Sequence, residues 1–311
     1  MPKPWSGRYG SAYADPMVRN GTATAAYSGE RFATYTVMVT GGARGIGEAT
    51  ARRFAAEGAA VLLADLNGEA AERTAASIRE DGGRAGAVVC DVADRTAVDA
   101  AVAHAVAAFG GLDVLVNNAY SCSDHYDDLT EEPDENWLRD LDVTLTGAMR
   151  CSRAALPHLA AATGGRGAIV NIGSVNGLSY FGNHSYSAAK AGLISLTRTL
   201  AVHAAASGVR VNLVAPGTIR TPAWAGREAT LETAAGLYPL GRVGEPADIA
   251  AAVTFLASAD ASWITGVTLP VEGGILSANP GFTNALSAGI ADDEAALGAV
   301  AGAAVGAAGE E

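Results

Sequence analysis

From Phe32 onward the chain alternates between short runs of uncharged apolar residues and longer stretches whose apolar side chains recur at helical spacing. The short runs predict strands at Tyr35–Val39, Ala60–Ala64, Arg84–Val89, Leu112–Val116, Ala168–Ile172, Val209–Val214 and Val267–Val271. The longer stretches predict helices at Ile46–Glu57, Gly68–Asp81, Arg95–Phe109, Pro133–Ala161, Tyr186–Ala206 and Pro246–Ala257. A parallel strand covered on both faces reads as an unbroken apolar run, and the amphipathic helices between strands supply the covers. The pattern therefore predicts an α/β fold: one doubly wound parallel sheet of about seven strands, in a single domain over residues 32–280. Right-handed crossovers then place the strand C-termini along one edge, where such sheets bind ligands.

The flanks read differently. Residues 1–31 show no sustained period and are expected to form an irregular extension, whose Trp5, Tyr9, Tyr13 and Tyr27 either hang free or pack on a neighbouring subunit. Residues 281–311 shift to Ala, Gly, Asp and Glu, the composition of a loosely helical or disordered tail. Inside the domain, residues 215–244 read as a long loop of the lid or binding type, with Pro216, Pro222, Trp224, Tyr238 and Pro239.

The first strand runs into Thr40-Gly41-Gly42-Ala43-Arg44-Gly45-Ile46-Gly47 and then a helix. Glycines let the backbone turn tightly and approach a pyrophosphate, while the free N–H groups of the helix start face the anion. The second strand ends in Asp65, about 20 residues beyond the turn, where a carboxylate can hold the ribose hydroxyls of a dinucleotide.

Composition narrows the classes. The 311 residues are 49% hydrophobic with a mean hydropathy of +0.18, enough for a full core. No apolar run approaches the length of a membrane span, and residues 1–31 lack the apolar stretch of a secretory signal. A net charge of −12 argues against a nucleic-acid partner. Cys90, Cys122 and Cys151 lie far apart without metal-ligand spacing, so buried thiols in a reducing cytoplasm are expected, and no metal site.

The chemistry gathers at Tyr186-Ser187-Ala188-Ala189-Lys190. Residues i and i+4 lie on one helical face, and an ammonium near a phenol favours the phenolate, which makes a usable acid–base group. Ser174 follows the strand Ala168–Ile172, and a crossover to the next helix can bring its hydroxyl to Tyr186. His158 and His203 have no partner at ligand spacing, whereas His184 lies close enough to touch a substrate. Asp124, Asp127, Asp128, Glu131 and Glu132 read as a solvated loop and helix start.

Together these motifs resemble the short-chain dehydrogenase/reductase superfamily in its single-domain branch. The chain carries the TGxxxGxG turn, Asn117-Asn118-Ala119 after the fourth strand, Ser174 after the fifth, Tyr186 with Lys190, and Pro216-Gly217-Thr218-Ile219 leading to Thr221. The likeness runs from about Phe32 to Asn279. It implies a Rossmann-like fold, a nicotinamide cofactor, and exchange between an alcohol and a carbonyl. Tyr186 would exchange the proton, Lys190 would lower its pKa and bind the nicotinamide ribose, and Ser174 would hold the substrate oxygen. Gly41, Arg44, Gly45, Ile46 and Gly47 would cradle the pyrophosphate. Asp91 would face the adenine with Val92 beside it, Asn118 and Ala119 would line the adenosine side, and Pro216, Gly217, Ile219 and Thr221 the carboxamide. Asp65 points to NAD and Arg44 to a 2′-phosphate; the absence of a second cation beside Asp65 tips the choice to NAD. Small residues in the tyrosine helix suit a homotetramer or dimer.

Two positions depart from the pattern. Tyr120 stands where the family has glycine, and either narrows the site or points outward. The family's asparagine in the long helix falls on Thr144, by register from Trp137 through Leu141-Asp142-Val143. The resemblance implies a relay water held there by a backbone carbonyl, with the side chain supporting a local helix distortion. Thr144 keeps a carbonyl, and its hydroxyl can bond a carbonyl one turn back and bend the helix; otherwise it is a tolerated helix residue. The rival readings are an NADPH-dependent 3-oxoacyl thioester reductase and a non-catalytic dinucleotide sensor or scaffold.

Overall fold

The computed structural model describes residues 30–278 except 125 and 127. The expectations for residues 1–29, for Asp127 and for the tail lie outside the described residues. Seven parallel strands form one sheet in the order β3-β2-β1-β4-β5-β6-β7. They are β1 (Thr36–Thr40), β2 (Ala60–Asp65), β3 (Arg84–Val89), β4 (Val114–Asn117), β5 (Ala168–Ile172), β6 (Arg210–Pro216) and β7 (Thr268–Val271). The helices are α1 (Gly45–Ala56), α2 (Gly68–Glu80), α3 (Arg95–Phe109), α4 (Asp134–Asp140), α5 (Gly147–Ala160), α6 (His184–Ala205), α7 (Glu228–Ala235) and α8 (Pro246–Ala257).

Alternation along β1 divides the core. Val37 and Val39 face one side, with Val61, Leu63, Phe54 of α1, Ile78 of α2 and Val253 of α8. Met38 faces the other, with Leu62, Leu115, Val98 of α3, Leu159 of α5 and Ala204 of α6. Since β1 pairs with β2 on one side and β4 on the other, the chain order reverses between β1 and β4. That reversal opens a crevice at the C-terminal strand edge.

Two elements differ from expectation. The single helix expected over Pro133–Ala161 is interrupted by a π turn, Leu141–Thr146, in which the Gly147 N–H donates to the Asp142 carbonyl. One wider turn of this kind redirects the side chains on either side of it. The stretch expected to be loop over 215–244 contains α7, which buries Leu231 in a small cluster with Tyr238 and Val243. Its short apolar signal, one leucine among alanines, lies below what periodicity resolves.

Arg210 at the start of β6 is buried and closes the end of α8. Its Nη1 donates to the Leu256 carbonyl at 2.6 Å, and its Nη2 to Ala257 and Ser258 at 3.1 Å each. A cation at a helix C-terminus offsets the partial negative charge of the last carbonyls. Arg210→Met leaves three buried acceptors without this donor, so we expect a loss of about 2–3 kcal/mol. A urea midpoint equal to the parent's would refute that role.

Candidate active site

The glycine turn between β1 and α1 has the shape of an anion cradle. Gly41 and Gly45 take left-handed conformations, with φ of +62° and +59°. A Cβ on Gly47 would sit against the Gly41 carbonyl oxygen, and one on Gly41 would lie 2.9 Å from Asn118 Nδ2. No side chain caps the start of α1, and Arg44 there is exposed, so the first N–H groups of the helix have no side-chain cap of their own.

The turn is braced from β4. Asn118 Nδ2 donates to the carbonyls of Thr40 (3.0 Å) and Gly41 (2.9 Å). The Thr40 hydroxyl accepts from the N–H groups of Asn118 and Ala119 and donates to the Val116 carbonyl. The Asn118 side chain is thus committed to the turn backbone, beneath the position expected of an adenosine-lining group. Asp65, at the end of β2, accepts from the Ala43 N–H at 3.0 Å and the Asn67 N–H at 2.9 Å. A carboxylate held by one bond to each oxygen keeps further lone pairs for other donors. Asp91 is exposed after β3, and buried Val92 packs on Gly147 of α5. On the far side, Ile219 is buried, and Thr221 lies over Gly45, whose Cβ would meet Thr221 Cγ2 at 3.4 Å. The Thr218 N–H donates to the Tyr238 hydroxyl at 2.7 Å, which anchors the segment after Pro216-Gly217.

At the edge of β5, Ser174, Tyr186 and Lys190 converge. The Ser174 hydroxyl donates to Asn176 Oδ1 at 3.1 Å and accepts from the Asn176 N–H at 3.2 Å, and it stands beside the Tyr186 phenol, which it favours in the ionised form. Lys190 is buried and donates to the Ile172 carbonyl at 2.6 Å. Its Nζ lies 5.4 Å from the centre of the Tyr186 ring and 5.6 Å from that of Tyr120. Half-exposed Tyr120 packs edge-to-face on Tyr186 with 6.0 Å between centroids, so the ring at the family's glycine position leans on Tyr186 while keeping one face to solvent. Thr144, buried in the π turn, accepts from the Ser121 N–H at 3.0 Å and donates to the Ser121 carbonyl at 3.1 Å. Its hydroxyl therefore does not bond back along its own helix; it joins the π turn to the loop that carries Tyr120.

Electrostatics here follow burial. Desolvation pushes the Tyr186 phenol above its usual value, opposed by the nearby Ser174 hydroxyl, with Tyr120, Cys122 and Asp140 adding to the rise. Desolvation also draws Lys190 down to about 7, opposed by Cys122. The phenol is thus raised, not lowered as the Tyr186–Lys190 spacing predicts, because burial dominates. Cys90 and Cys151 are buried thiols as expected, but Cys122 is exposed. Asp124, Asp128 and Glu131 are exposed, and among the described residues no three His, Cys, Asp or Glu gather as metal ligands. No described helix is long and apolar enough to cross a membrane.

Sequence reasoning missed Asn183. With φ +53°, it accepts from the Tyr186 N–H at 3.0 Å and starts α6 two residues earlier than expected. Asparagine before a helix is a capping signal and could have been read. Tyr238 carried no such signal.

Residues 41–276 match the family model described as enoyl-(acyl carrier protein) reductase. The chain belongs to the short-chain dehydrogenase/reductase superfamily. It is 46% identical over 248 residues to cis-4-hydroxycyclohexanecarboxylate dehydrogenase of Sinomonas cyclohexanicum, covering 79% of this chain and 98% of that protein. It is 41% identical to 2,5-dichloro-2,5-cyclohexadiene-1,4-diol dehydrogenase LinX of Sphingobium indicum, over 78% of this chain and 97% of the relative. Meso-2,3-butanediol dehydrogenase of Serratia marcescens is likewise 41% identical, over 78% and 95%. The crystal structure of gox2181 superposes with a TM-score of 0.75 at 33% identity, covering 80% of this chain and 99% of that one. This short-chain dehydrogenase/reductase is an oxidoreductase of the alcohol dehydrogenase and ketoreductase kind, served by a nicotinamide dinucleotide.

The Thr144 contact generates a test. Thr144→Val keeps the shape but leaves the Ser121 N–H and carbonyl without their partner. We expect kcat to fall about tenfold or more, while Thr144→Asn stays active. Parental turnover of the valine variant across pH 6–9 would remove Thr144 from the site.

Proposed function

We propose that the protein is an NAD-dependent dehydrogenase of secondary alcohols, working also as the reverse ketone reductase, with Tyr186 as its acid–base group. The observation that carries this is Tyr186 set beside buried Lys190, whose Nζ lies 5.4 Å from the ring centre, with the Ser174 hydroxyl next to the phenol, at the edge that also holds the glycine turn. The related proteins' names support the substrate class. They denote enzymes of hydroxycyclohexanecarboxylate, a cyclohexadiene diol and butanediol, so a ring-borne secondary alcohol is the first class to screen.

The chain fits a dinucleotide. Gly41, Gly45, Ile46 and Gly47, with Arg44 at their rim, would hold the pyrophosphate, since no side chain could occupy Gly47 beside the Gly41 carbonyl. Asp65 would accept the adenosine ribose hydroxyls, Asp91 and Val92 would border the adenine, and Asn118 and Ala119 would support that half. Pro216, Gly217, Ile219 and Thr221 would face the carboxamide. When bound, the nicotinamide supplies the hydride acceptor or donor.

The residues of the chain manage the proton. In oxidation the Tyr186 phenolate takes the proton of the substrate hydroxyl, while the Ser174 hydroxyl donates to the substrate oxygen and fixes its position. In reduction the phenol returns that proton. Protonated Lys190 beside the ring favours the phenolate. Thr144 holds the π turn against the Tyr120 loop, so the Tyr120 ring beside Lys190 stays in place.

For the assembly we propose a homotetramer, or a dimer, through α5 and α6. These helices share a groove lined by the apolar Met149, Leu156, Pro157, Leu196 and Leu200. A monomer mass in light scattering at micromolar protein would contradict this. The free thiols support a cytoplasmic location.

Asp65 and Arg44 oppose each other in cofactor choice. The fixed carboxylate would repel a 2′-phosphate, and the exposed Arg44 alone does not offset it. A preference for NAD of at least about tenfold, or about 1.4 kcal/mol, is expected in kcat/KM. Equal or better kcat/KM with NADP would favour the thioester reductase instead.

Tyr186→Phe removes the proposed acid–base group. We expect kcat to fall about 10²–10⁴-fold with NAD still bound. Because burial raises the phenol's pKa, the protonated donor prevails at neutral pH. Oxidation by the parent should therefore speed up as pH rises from 6 towards 10, while reduction, served by the phenol, stays level. Near-parental turnover of the phenylalanine variant, or an oxidation rate flat across that range, would mean another group moves the proton.

A further inference from the structure

Asp140, the last residue of α4, is wholly buried and takes no part in the proton path above. Its Oδ1 accepts from the hydroxyls of Ser121 at 2.7 Å and Ser123 at 2.9 Å. Its Oδ2 accepts from the Ser185 hydroxyl at 2.8 Å, and the Ser123 N–H is shared between the two oxygens at 3.1 and 3.0 Å. Among the described residues no cation pairs with it. Three hydroxyls and one amide all donate, which is the donor set of an ionised carboxylate, an acceptor on every lone pair. Burying such a group is unfavourable unless it is fully hydrogen-bonded, so these donors are held where they are.

The donors come from the two segments that bracket the reacting phenol. Ser121 and Ser123 belong to the loop that begins with Tyr120. Ser185 lies in the first turn of α6, one residue before Tyr186. Asp140 itself leads into the π turn, whose Thr144 grips the backbone of the same Ser121. Asn183 tightens this junction: while its Oδ1 caps Tyr186, its Nδ2 donates to the Ser123 carbonyl at 3.1 Å.

We propose that Asp140 is a positioning residue for the reaction: it clamps the start of α6, the loop after β4 and the π turn into one register, which fixes where the Tyr186 hydroxyl stands. The proposal rests on the reading that Tyr186 carries the proton. The groups facing Tyr186 are Lys190 from its own helix, Tyr120 and Cys122 from the loop after β4, Ser174 from the edge of β5, and Asp140 from α4. Of these, Asp140 acts in two ways, through the clamp and through its negative charge, which disfavours the phenolate.

The test is a cycle of Asp140→Asn, Ser185→Ala and the double variant in the full chain, read by hydrogen exchange and by steady-state kinetics. In Asp140→Asn the amide group replaces one acceptor by a donor facing donors. Exchange of the Ser123 and Tyr186 amides should quicken about tenfold or more, with the amides of β4 and β5 unchanged. The kcat should fall about 10–100-fold with NAD affinity within about threefold of the parent, and the alkaline rise of oxidation should move to lower pH. Ser185→Ala, a milder change that keeps the test open if Asp140→Asn does not fold, should lower kcat several-fold with NAD affinity retained. The double variant should be no more than about twofold slower than Asp140→Asn, since both changes break one clamp. Three results would overturn the proposal: kcat within about twofold of the parent in Ser185→Ala, additive losses in the cycle, or faster exchange spread evenly over the sheet with kcat tracking the folded fraction. If instead Tyr186→Phe is fully active, the proton reading fails, and the exchange data still decide whether Asp140 clamps the junction.

Discussion

The Thr40–Asn118 brace is the interaction on which the site depends. The two residues lie 78 positions apart, yet their side chains and backbones exchange hydrogen bonds across the β1–β4 boundary. The glycine turn cannot hold its own shape, because left-handed glycines gain nothing from side chains and lose more entropy on ordering than any other residue. Asn118 supplies what they lack by donating to two consecutive carbonyls of the turn. That fixes the backbone of the glycine turn relative to β4, and the chain after β4 leads directly to Tyr120 and the loop beside Tyr186. The glycine turn and the surroundings of Tyr186 are thus built on one junction.

The second constraint is the π turn. A continuous α-helix from α4 through α5 would carry Asp140 and Thr144 on one face, four residues apart. The wider turn changes the angle between their side chains, so that Asp140 meets Ser121, Ser123 and Ser185 while Thr144 meets the Ser121 backbone. Both polar groups are buried, and each is satisfied by the loop it holds. The distortion is therefore held by its neighbours rather than by the helix that contains it.

This division explains what could be read from the letters. The strands, the glycine turn, Asp65, Ser174 and the Tyr186–Lys190 spacing were legible because each follows from local chemistry: apolar runs, backbone freedom, a strand-end carboxylate, a helical period. Asn118 was legible as a position but not in its role, since its partners sit 77 and 78 residues away. The hydroxyl of Thr144 was expected to bond within its helix and instead bonds Ser121, because a tertiary partner offered both a donor and an acceptor. Asp140 gave no signal at all. An aspartate between Arg139 and Leu141 in an amphipathic stretch reads as a solvated face, and only the three serines around it reveal a buried carboxylate. Helix α7 was hidden for a related reason: its one buried leucine gains meaning from Tyr238 and Val243, not from its neighbours in sequence.

The same logic governs the reacting pair. The i, i+4 spacing decides that Lys190 and Tyr186 share a face, but it does not decide their charges. Burial does, raising the phenol, which stays neutral near pH 7, and drawing the ammonium down to about 7, where its two forms are comparable. A buried ammonium is stabilised by acceptors and by negative charge nearby. Here the Ile172 carbonyl and the faces of Tyr120 and Tyr186 supply the first kind of support, while Cys122, its thiol pushed up by burial, adds no charge at neutral pH. With Lys190 near 7, negative charge beside it would favour the ammonium, and the ammonium in turn favours the phenolate. In this chain the spacing selects the partners, and the surroundings set when they act.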